Sequence, residues 1–368
     1  MRRSGAGTAG VHNHRVEGVT RLAGVHATLP SYRYTQAELT DTFTEVCLGP
    51  DGNRALLERF HAHARVSTRH LVLPKEQYAT IGSFRESNDL FIANAVELGA
   101  AALTGALHRA GIGADEVDVV ISTTITGIAV PSIEARIAQV VGLRPDVKRL
   151  PLFGLGCVAG AAGIARLHDY LVGHPDEVGA LISVELCSLT LQRDDRSVAN
   201  LVASGLFGDG AAAVVAVGAN RPEPGPRVVD SRSHLYPDSL RTMGWDVGCG
   251  GLKIVLDAEV PAIVQQYLGD DVRSFLATHS LHVEDVAAWV SHPGGPKVIE
   301  AIESELGLDT APLELTWRSL DQIGNLSSSS VLHVLRDTLD QCCLAPGTPG
   351  MVIAMGPGFC SELVLLEW

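Results

Sequence analysis

Apolar runs and helix-periodic segments alternate along most of the chain. Short apolar runs bounded by turn residues predict strands, several of them buried on both faces, and amphipathic or Ala/Leu-rich segments predict helices between them. The predicted strands cover residues 16–29, 68–73, 117–123, 148–154, 180–185, 211–217, 286–291, 350–355 and 362–366. The predicted helices cover residues 34–47, 53–64, 88–110, 132–141, 158–171, 260–278, 296–306 and 327–341. This alternation favours an α/β protein with layers around central sheets.

The second part of the chain repeats the strand–helix rhythm of the first. A join is expected near residues 220–240, where Pro222, Pro224 and Pro226 interrupt the pattern. Residues 1–15 are rich in Gly, Ala and His and are expected to be a disordered tail. The predicted organisation is therefore an N-terminal half over 16–228, carrying the candidate nucleophile, and a C-terminal half over 229–368.

Composition and charge narrow the class of protein. The chain has 368 residues, of which 46% are hydrophobic, enough for a substantial core. A formal net charge of −14 argues against nucleic acid or an anionic membrane as the main partner, since both require basic patches. No apolar stretch is expected to cross a membrane, and no signal-peptide pattern opens the chain. Seven scattered cysteines favour a reducing compartment, so we expect a cytoplasmic protein.

One cysteine lies where a predicted strand turns into a predicted helix. The segment Leu155-Gly-Cys157 joins the apolar run 148–154 to the amphipathic segment 158–171. A thiol at such a turn faces unpaired backbone N–H groups and the positive end of the helix dipole, which favour the thiolate. Glycines on both sides would let a substrate approach closely. Most free cysteines are simply small buried hydrophobes. Cys157 is therefore a candidate nucleophile only if other residues are present that could act with it.

Two later loops supply such partners. Ser291-His-Pro-Gly-Gly-Pro296 follows a predicted strand and must be a loop, so His292 is a candidate base or oxyanion donor. Ile323-Gly-Asn-Leu-Ser-Ser-Ser-Ser330 precedes the last predicted helix and contains Asn325. Taken singly, His292 could be an idle loop residue and Asn325 a turn or N-cap residue. Together with Cys157 they offer a nucleophile, a base and an amide donor.

Other chemistries fit the sequence less well. His61 and His63 lie two positions apart on a predicted helix and point to different faces, so they make a poor metal site. The glycines around Cys157 miss the spacing of a dinucleotide-binding loop, so NAD is not expected. Papain-like proteases also use Cys, His and Asn in this order, but they carry the cysteine near the mature N-terminus in a different context. A peptidase is therefore the less favoured reading.

Five segments in this order carry a family resemblance: Leu155-Gly-Cys157, Leu206-Phe-Gly-Asp-Gly-Ala-Ala212, His292-Pro-Gly-Gly-Pro296, Gly324-Asn325 and Gly356-Pro-Gly358. Over about residues 18–368 the chain resembles the type III polyketide synthases, the chalcone synthase-like branch of the thiolase superfamily. The resemblance implies an α/β thiolase-like fold with two similar αβαβα halves and layered central sheets. It also favours a bacterial-type member, similar to alkylresorcinol or alkylpyrone synthases.

The resemblance implies a mechanism as well. Cys157 would take an acyl group from a CoA thioester and hold the growing chain. His292 would keep Cys157 as the thiolate and, with Asn325, would hydrogen-bond the thioester oxygen of malonyl-CoA or methylmalonyl-CoA, which gathers enolate charge as CO2 leaves. Repeated condensations would end in cyclisation to a pyrone or resorcinol. CoA thioesters are the implied substrates, and no metal or redox cofactor is implied.

The family match further assigns residues around this centre. Phe207 matches a gatekeeper aromatic between the CoA tunnel and the cavity, although alone it reads as a core Phe after a helix. The match places these residues at the cavity wall: Ile254, Cys187, Thr190, Gly356, Pro357 and Gly358. It implies CoA contacts for Arg65, Arg69, Gly294 and Gly295. Val130 matches a position that projects across a homodimer interface, so we expect a homodimer.

Departures from the plant-type pattern bear on specificity. Ile254 stands where the family has a second gatekeeper aromatic, and Ala354-Met-Gly-Pro-Gly358 replaces the plant-type Gly-Phe-Gly-Pro-Gly. These departures argue against chalcone formation, and Glu185-Leu-Cys-Ser-Leu resembles bacterial members that accept fatty acyl starters. We therefore expect a medium-to-long acyl-CoA starter. Two alternatives stay open: a single-round enzyme like β-ketoacyl synthase III, and a catalytically idle thiolase-fold subunit.

Overall fold

The computed structural model describes residues 19–48, 52–193 and 195–368. The expected disordered tail over residues 1–15 lies outside the described residues. Within them the structure has thirteen strands, which are β1 (Thr20–Thr28), β2 (Tyr32–Thr35), β3 (Thr68–Leu71), β4 (Val117–Thr124), β5 (Lys148–Phe153), β6 (Val178–Leu186), β7 (Asp209–Val217), β8 (Arg227–Leu235), β9 (Met243–Gly248), β10 (Gly251–Leu256), β11 (Ala288–Ser291), β12 (Pro349–Gly356) and β13 (Cys360–Glu367).

The same residues form ten α-helices, and most of them begin and end within a few residues of the predicted bounds. They are α1 (Gln36–Phe43), α2 (Arg54–His63), α3 (Phe84–Ala110), α4 (Ile133–Val141), α5 (Ala159–Val172), α6 (Val198–Leu206), α7 (Val260–Ala277), α8 (Pro296–Leu306), α9 (Glu314–Ile323) and α10 (Ser328–Gln341). Helix α1 continues into a short π-helix, Thr44–Leu48. Side-chain caps begin several helices, such as Thr35 before α1 and Ser197 before α6.

Nine strands form one mixed sheet in the order β11-β12-β13-β8-β1-β7-β6-β4-β5. Strand β4 is parallel to β5 and β6, β11 is parallel to β12, and the other neighbours are antiparallel. The N-terminal strands meet the C-terminal strands where β1 pairs with β8, with Arg21 opposite Arg227. The two predicted half-sheets are thus joined edge to edge in one continuous sheet.

Helices cover this sheet in layers. Helices α5 and α10 lie in the middle, because both contact strands of the N-terminal half-sheet and of the C-terminal half-sheet. Helix α3 packs on the other face of β1, β6 and β7, and it also contacts α4. Apolar side chains of α7 and α8 pack against β12 and β13 in a separate core cluster. The αβαβα layering predicted from the sequence is therefore confirmed.

The expected join between the halves contains a central strand. Strand β8 begins at Arg227, directly after the three prolines, and lies between β1 and β13 in the large sheet. The predicted boundary between residues 228 and 229 falls inside this strand. The division into 16–228 and 229–368 stays a prediction.

Helix α3 differs from the sequence expectation about membrane spans. It begins at Phe84, four residues earlier than predicted. By length and composition it could cross a membrane, and it is the one helix of this kind in the described part of the chain. The expectation that no apolar stretch has this length is wrong. Because α3 packs against three strands and α4, it is placed as a core helix of the sheet.

Candidate active site

Cys157 lies at the expected strand-to-helix turn. Strand β5 ends at Phe153, a 3-10 turn covers Gly156–Val158, and α5 begins at Ala159. Gly156 has φ = +56°, and a Cβ placed on it would lie 2.7 Å from the Pro357 ring. Glycine is required there both by the backbone conformation and by the close approach of the Gly356-Pro-Gly358 loop. This loop is therefore packed directly against the turn that holds the thiol.

A crossing of two helices brings a serine to the same thiol. A Cβ on Gly160 of α5 would lie 2.3 Å from the carbonyl oxygen of Ser328, so only glycine lets α5 approach α10 this closely. At this crossing the Cys157 thiol donates to Ser327 Oγ over 3.6 Å. Ser327 has φ = +48°, a conformation that is uncommon outside glycine. The sequence analysis did not single out Ser327 as a site residue.

Asn325 is held by its backbone and its amide together. Its N–H donates to the Leu206 carbonyl (2.9 Å), and its carbonyl accepts from Gly208 N–H (3.0 Å), which ties it to the segment around Phe207. The side-chain Oδ1 accepts from Ser327 N–H (2.7 Å), and Nδ2 donates to the Gly294 carbonyl (3.2 Å). The amide therefore connects the Cys157 side of the site with the loop that follows His292.

His292 is buried at the end of β11. Its N–H donates to the Ile353 carbonyl (2.8 Å), and its own carbonyl accepts from Gly294 N–H (2.9 Å). The ring Nδ1 has no hydrogen-bond partner among the described residues. Burial lowers the pKa of His292 to about 3, so the imidazole is neutral near pH 7.

The electrostatics of Cys157 oppose one sequence expectation. Burial raises the pKa of the Cys157 thiol to about 12, although its hydrogen bonds with Ser327 and Asn325 lower it in part. The helix N-terminus was expected to favour the thiolate, but removal of water from the thiol outweighs this effect. In the resting site the Cys157 thiol and the His292 imidazole are therefore both neutral, and thiolate formation depends on transfer of the thiol proton to a base.

The carboxyl group of Glu185 is buried near the Cys157 turn and interacts with residues around it. Glu185 is fully buried at the end of β6, and burial raises its pKa. It accepts from Ile125 N–H (3.0 Å), from Thr126 Oγ1 (3.0 Å) and from the hydroxyl of Ser328. Its negative charge also raises the pKa of Cys157. The sequence analysis used Glu185 only as part of a family-like stretch.

A small apolar cavity adjoins the thiol, and we call it the nucleophile cavity. The predicted residues Phe207, Ile254 and Cys187 line it together with Cys157, and Pro357 closes one side. Two further wall residues, Met243 and Trp245 of strand β9, were not predicted from the sequence. The hairpin of β9 and β10 was not predicted at all. Trp245 is fixed by donation from Nε1 to the Ile125 carbonyl (2.9 Å).

The remaining predicted wall residues lie further from the thiol. Thr190 lines two neighbouring cavities but not the nucleophile cavity, and its hydroxyl donates to the Cys187 carbonyl (2.8 Å). Gly356 packs on the turn, because a Cβ there would lie 2.7 Å from Val158 N. Gly358 faces Leu235 instead of the cavity. The Gly-Pro-Gly loop thus contributes Pro357 to the wall and glycines to its packing.

The predicted CoA contact of Arg69 is wrong. Arg69 is 1% exposed, with Nη1 donating to the Phe207 carbonyl (2.7 Å) and Nη2 to Gln36 Oε1 (2.8 Å). Desolvation by burial lowers its pKa to about 9, while the charge of Asp209 raises it. A buried guanidinium behind Phe207 cannot reach a CoA phosphate at the surface. Its neighbours on β3, Thr68 and His70, are polar, so the local sequence does not indicate that Arg69 is buried.

Arg65 and the two loop glycines are placed differently. Arg65 is exposed, forms an ion pair with Glu300 (2.9 Å) and lies over the Trp317 ring at 5.2 Å. The carbonyl of Gly294 is already used by the Asn325 amide, and Gly295 precedes α8 with φ = +147°. Arg65 therefore stays a candidate for a CoA phosphate, whereas Gly294 serves to hold Asn325.

A metal centre has no support in the described part of the chain, where no group of three or more His, Cys, Asp or Glu side chains could hold an ion. His61, one of the two histidines considered above as metal ligands, is buried in the protein interior. Its Nδ1 lies 2.7 Å from Thr40 Oγ1, and its Nε2 lies 3.0 Å from Ser204 Oγ. Both ring nitrogens are thus engaged in core hydrogen bonds.

The fold is that of a thiolase-like enzyme, and comparison with known proteins gives its family. Residues 9–221 match the N-terminal domain of the chalcone and stilbene synthases, and residues 227–367 match their C-terminal domain. The chain belongs to this family and is a type III polyketide synthase of the bacterial type, an acyltransferase of secondary metabolism. This confirms the class expected from the sequence.

Several relatives are similar along nearly the whole chain. A 1,3,6,8-tetrahydroxynaphthalene synthase of Streptomyces peucetius is 52% identical, over 98% of this chain and 96% of that protein. A putative chalcone synthase of Bacillus subtilis is 35% identical, over 83% of this chain and 87% of that protein. The crystal structure of the 1,3,6,8-tetrahydroxynaphthalene synthase from Streptomyces coelicolor superposes with a TM-score of 0.89 at 29% identity, covering 95% of this chain and 99% of the other.

Proposed function

We propose that Cys157 is the acyl-carrying nucleophile and that His292 and Asn325 act on it and on the extender. The observation that carries this proposal is the contact of Cys157 with Ser327 and Asn325 at the closed end of the nucleophile cavity. The Asn325 amide lies between the thiol and the loop of His292. These groups are the nucleophile, base and oxyanion donor that an acyl transfer requires.

The chemistry follows from these positions. His292 takes the thiol proton, the Cys157 thiolate attacks the starter thioester, and the CoA thiolate leaves and takes up a proton. In malonyl-CoA the bond to the carboxylate then breaks, CO2 leaves, and the electron pair moves onto the thioester oxygen, which His292 and Asn325 stabilise as an enolate. The enolate carbon attacks the Cys157 thioester and releases the thiolate. Because the cavity wall is apolar, the enolate meets few polar groups there other than these donors.

We further propose that malonyl-CoA alone supplies the chain, and that the product is 1,3,6,8-tetrahydroxynaphthalene. The Streptomyces peucetius relative with this activity in its name is 52% identical along the chain. A naphthalene skeleton has ten carbons, which corresponds to five two-carbon units. Trp245 and Ile254 form part of the wall of the nucleophile cavity and limit the space beside the thiol. This proposal replaces the expected medium-to-long acyl starter and its pyrone or resorcinol product.

A product assay tests both proposals. Purified enzyme is given malonyl-CoA alone, or malonyl-CoA with acyl-CoA starters from acetyl to stearoyl, and products are identified by mass spectrometry. We expect tetrahydroxynaphthalene from malonyl-CoA alone and none with Cys157→Ala. Efficient extension of a long acyl-CoA would contradict the proposed starter and leave the residue roles intact. A linear β-ketoacyl product would favour the single-round enzyme, and no turnover of malonyl-CoA would favour the idle subunit.

We also propose that the protein is a homodimer. Val130 is 90% exposed, and further apolar side chains between residues 128 and 153 are exposed as well, namely Ile128, Val140, Leu150 and Phe153. Strand β5, which contains two of them, is the open edge of the large sheet. Covering this apolar edge would remove it from water. The double variant Val130→Asp/Phe153→Asp should be monomeric by light scattering, whereas Val198→Asp on α6 should leave the dimer intact.

The proposed reaction needs no metal or redox group, because a thiol, an imidazole and an amide supply its nucleophile, base and charge stabilisation. CoA thioesters are the substrates, and Arg65 is the proposed contact for a CoA phosphate. We place the protein in the cytoplasm, where thiols stay reduced, since the sequence carries seven cysteines scattered along the chain. That the reaction needs no metal is tested by atomic emission analysis of the active enzyme and by its activity in EDTA. A loss of activity in EDTA would contradict it.

A further inference from the structure

The aspartate of the segment Phe207-Gly-Asp-Gly210 has no part in the chemistry described above. Asp209 is the first residue of β7, two positions after Phe207, and it is completely buried. Burial raises its pKa from the usual 3.8 to about 6, so the side chain is charged at neutral pH. This charge disfavours the folded state about a hundredfold relative to an aspartate with the usual pKa. Such a buried charge indicates a role that a neutral residue would not fill.

The hydrogen bonds of Asp209 connect two segments near the thiol. Oδ1 accepts from Ser188 N–H (2.8 Å), and Oδ2 accepts from the Ser188 hydroxyl and from Val72 N–H (2.8 Å), directly after β3. Ser188 belongs to the 3-10 turn Cys187–Thr190, and Cys187 of this turn lines the nucleophile cavity. The carboxylate therefore fixes one wall of that cavity through both the backbone and the side chain of Ser188.

A chain of hydroxyl groups requires the charged form of Asp209. The Tyr78 hydroxyl accepts from Leu73 N–H (3.3 Å) and lies 2.6 Å from Ser188 Oγ. Because the Ser188 hydroxyl donates to the carboxylate, its oxygen accepts from the Tyr78 hydroxyl, and each hydrogen of the chain has an acceptor. A proton on Asp209 would add a donor, and one hydrogen of the chain would lose its acceptor. The chain is complete only while Asp209 is ionised.

The titratable side chains that face Asp209 come from the elements around it. The positive charge of Arg69 on β3 partly offsets the effect of burial on the pKa of Asp209. Burial and the charge of Asp209 raise the pKa of Tyr78, and burial with the charges of Glu185 and Asp209 raises the pKa of Cys187. Tyr78 and Cys187 are therefore neutral in weak acid, where Asp209 titrates. Burial also raises the pKa of Glu185, so a variant is needed to assign a titration to Asp209.

We propose that ionised Asp209 is a positioning residue, which holds the turn Cys187–Thr190 at the nucleophile cavity and thereby restricts the starter. This inference rests on the acyl transfer at Cys157 proposed above. Protonation of Asp209 interrupts the hydroxyl chain, releases the turn and widens the wall at Cys187. A bulky starter then gains relative to malonyl-CoA, and starter selectivity follows the protonation of Asp209.

A competition assay over pH tests this coupling. Purified enzyme receives malonyl-CoA and hexanoyl-CoA together at pH 5 to 7.5, with folding checked by circular dichroism, and mass spectrometry gives the ratio of hexanoyl-primed to malonyl-primed product. Cys157, His292 and the CoA phosphates take part with both starters, so their ionisation cancels in this ratio. We expect the ratio to rise at least about fivefold from pH 7.5 to pH 5, with a midpoint near pH 6. A ratio that does not change with pH would overturn the proposal.

Variants assign the effect to this residue. Asp209→Asn cannot ionise, so its ratio should equal the wild-type value at pH 5 and stay constant over the range. Asp118→Asn is the matched control, because Asp118 also accepts a backbone N–H, that of Val178 (2.8 Å), but lies outside the cavity wall. It should keep the ratio and midpoint of wild type. A titration that persists in Asp209→Asn would belong to another group, such as Glu185, and would contradict the proposal.

A further variant removes the link and keeps the charge. Ser188→Ala retains the carboxylate and the backbone N–H but lacks the hydroxyl, and it should raise the ratio about threefold at pH 7.5. It replaces Asp209→Asn in the assay if that variant does not fold. A wild-type ratio in Ser188→Ala would show that the hydroxyl chain does not hold the wall.

Hydrogen exchange distinguishes this inference from the proposed function. The Ser188 N–H is measured in the peptide covering residues 185–191 and corrected for the intrinsic exchange rate. In wild type it should exchange about tenfold faster at pH 5 than at pH 7.5, and in Asp209→Asn the rate should not depend on pH. If no polyketide forms, the proposed function is wrong, and exchange still decides whether Asp209 holds the turn. If polyketide forms while exchange and selectivity do not change with pH, only the role of Asp209 is wrong.

Discussion

The turn that holds Cys157 and the hairpin that covers it are constructed differently. All three residues of the turn Gly156–Val158 are buried, and close contacts with Pro357 and α10 fix its backbone. The hairpin of β9 and β10 forms a separate two-stranded sheet, and many of its residues are exposed, including Val247 at 68%. Trp245 reaches from it to the Ile125 carbonyl through one hydrogen bond.

This difference separates reactivity from selectivity. The turn places the thiol by backbone packing, so a changed side chain there disturbs the position of the reacting atom. The hairpin contributes side chains to the cavity wall without holding the catalytic groups, so a changed side chain there alters the space available to a substrate. Changes in the turn should therefore affect rate and stability, and changes in the hairpin should affect which substrate is used.

The largest effect is expected for Cys157→Ala. Without the thiol no acyl-enzyme forms, and polyketide formation should fall by more than about a thousandfold. Mass spectrometry of the intact protein after incubation with malonyl-CoA should show no added acyl group. The exposed Cys343→Ala is the control and should retain both acylation and product formation. Acylation of Cys157→Ala would place the nucleophile elsewhere.

The pH dependence of thiol labelling tests the burial of the same turn. Because burial raises the pKa of Cys157 to about 12, the thiolate fraction should rise about tenfold per pH unit below that value. The rate of iodoacetamide labelling at Cys157, followed by peptide mass spectrometry, should therefore rise about a hundredfold from pH 7 to pH 9 without a plateau. A rate that is constant over this range would show that the thiolate is already formed.

The glycine at the helix crossing should control stability. In Gly160→Val the new Cβ would collide with the Ser328 carbonyl, where only 2.3 Å is available, and unfolding in urea should show a loss of about 2–3 kcal/mol. Gly173→Ala is the control, because its Cβ would lie 3.5 Å from the nearest atom and its φ is −83°. This control should be neutral or slightly stabilising. Equal stability of both variants would contradict the tight crossing.

The smallest effect on rate and the clearest effect on selectivity are expected in the hairpin. Trp245→Ala removes an indole from the nucleophile cavity, and kcat/KM for hexanoyl-CoA relative to malonyl-CoA as starter should rise about tenfold. Val247→Ala changes an exposed residue of the same hairpin and should leave this ratio as in wild type. An unchanged ratio in Trp245→Ala would show that the indole does not limit the starter.

The sequence predicted the turn better than the hairpin for physical reasons. Cys157 lies between a strand and a helix that follow one another directly, so local patterns place it, and apolar periodicity also predicted the helix layers around it. Trp245 approaches Ile125 from a segment more than a hundred residues away, and the glycine-rich hairpin has no apolar alternation. The burial of Arg69 likewise depends on packing against Phe207, which a local pattern does not record.

The position of the first strand has a consequence for biosynthesis. Strand β1 lies between β7 and β8 in the middle of the sheet, and β13, at the C-terminal end, lies between β8 and β12. Among the described strands β1 is made first and waits for partners made about two hundred residues later, and the sheet is complete only once β13 has been made. Nascent chains of this length with such distant pairings expose unpaired edges while they wait. Removal of β13 should therefore leave β8 and β12 without a shared neighbour and make the chain prone to aggregation.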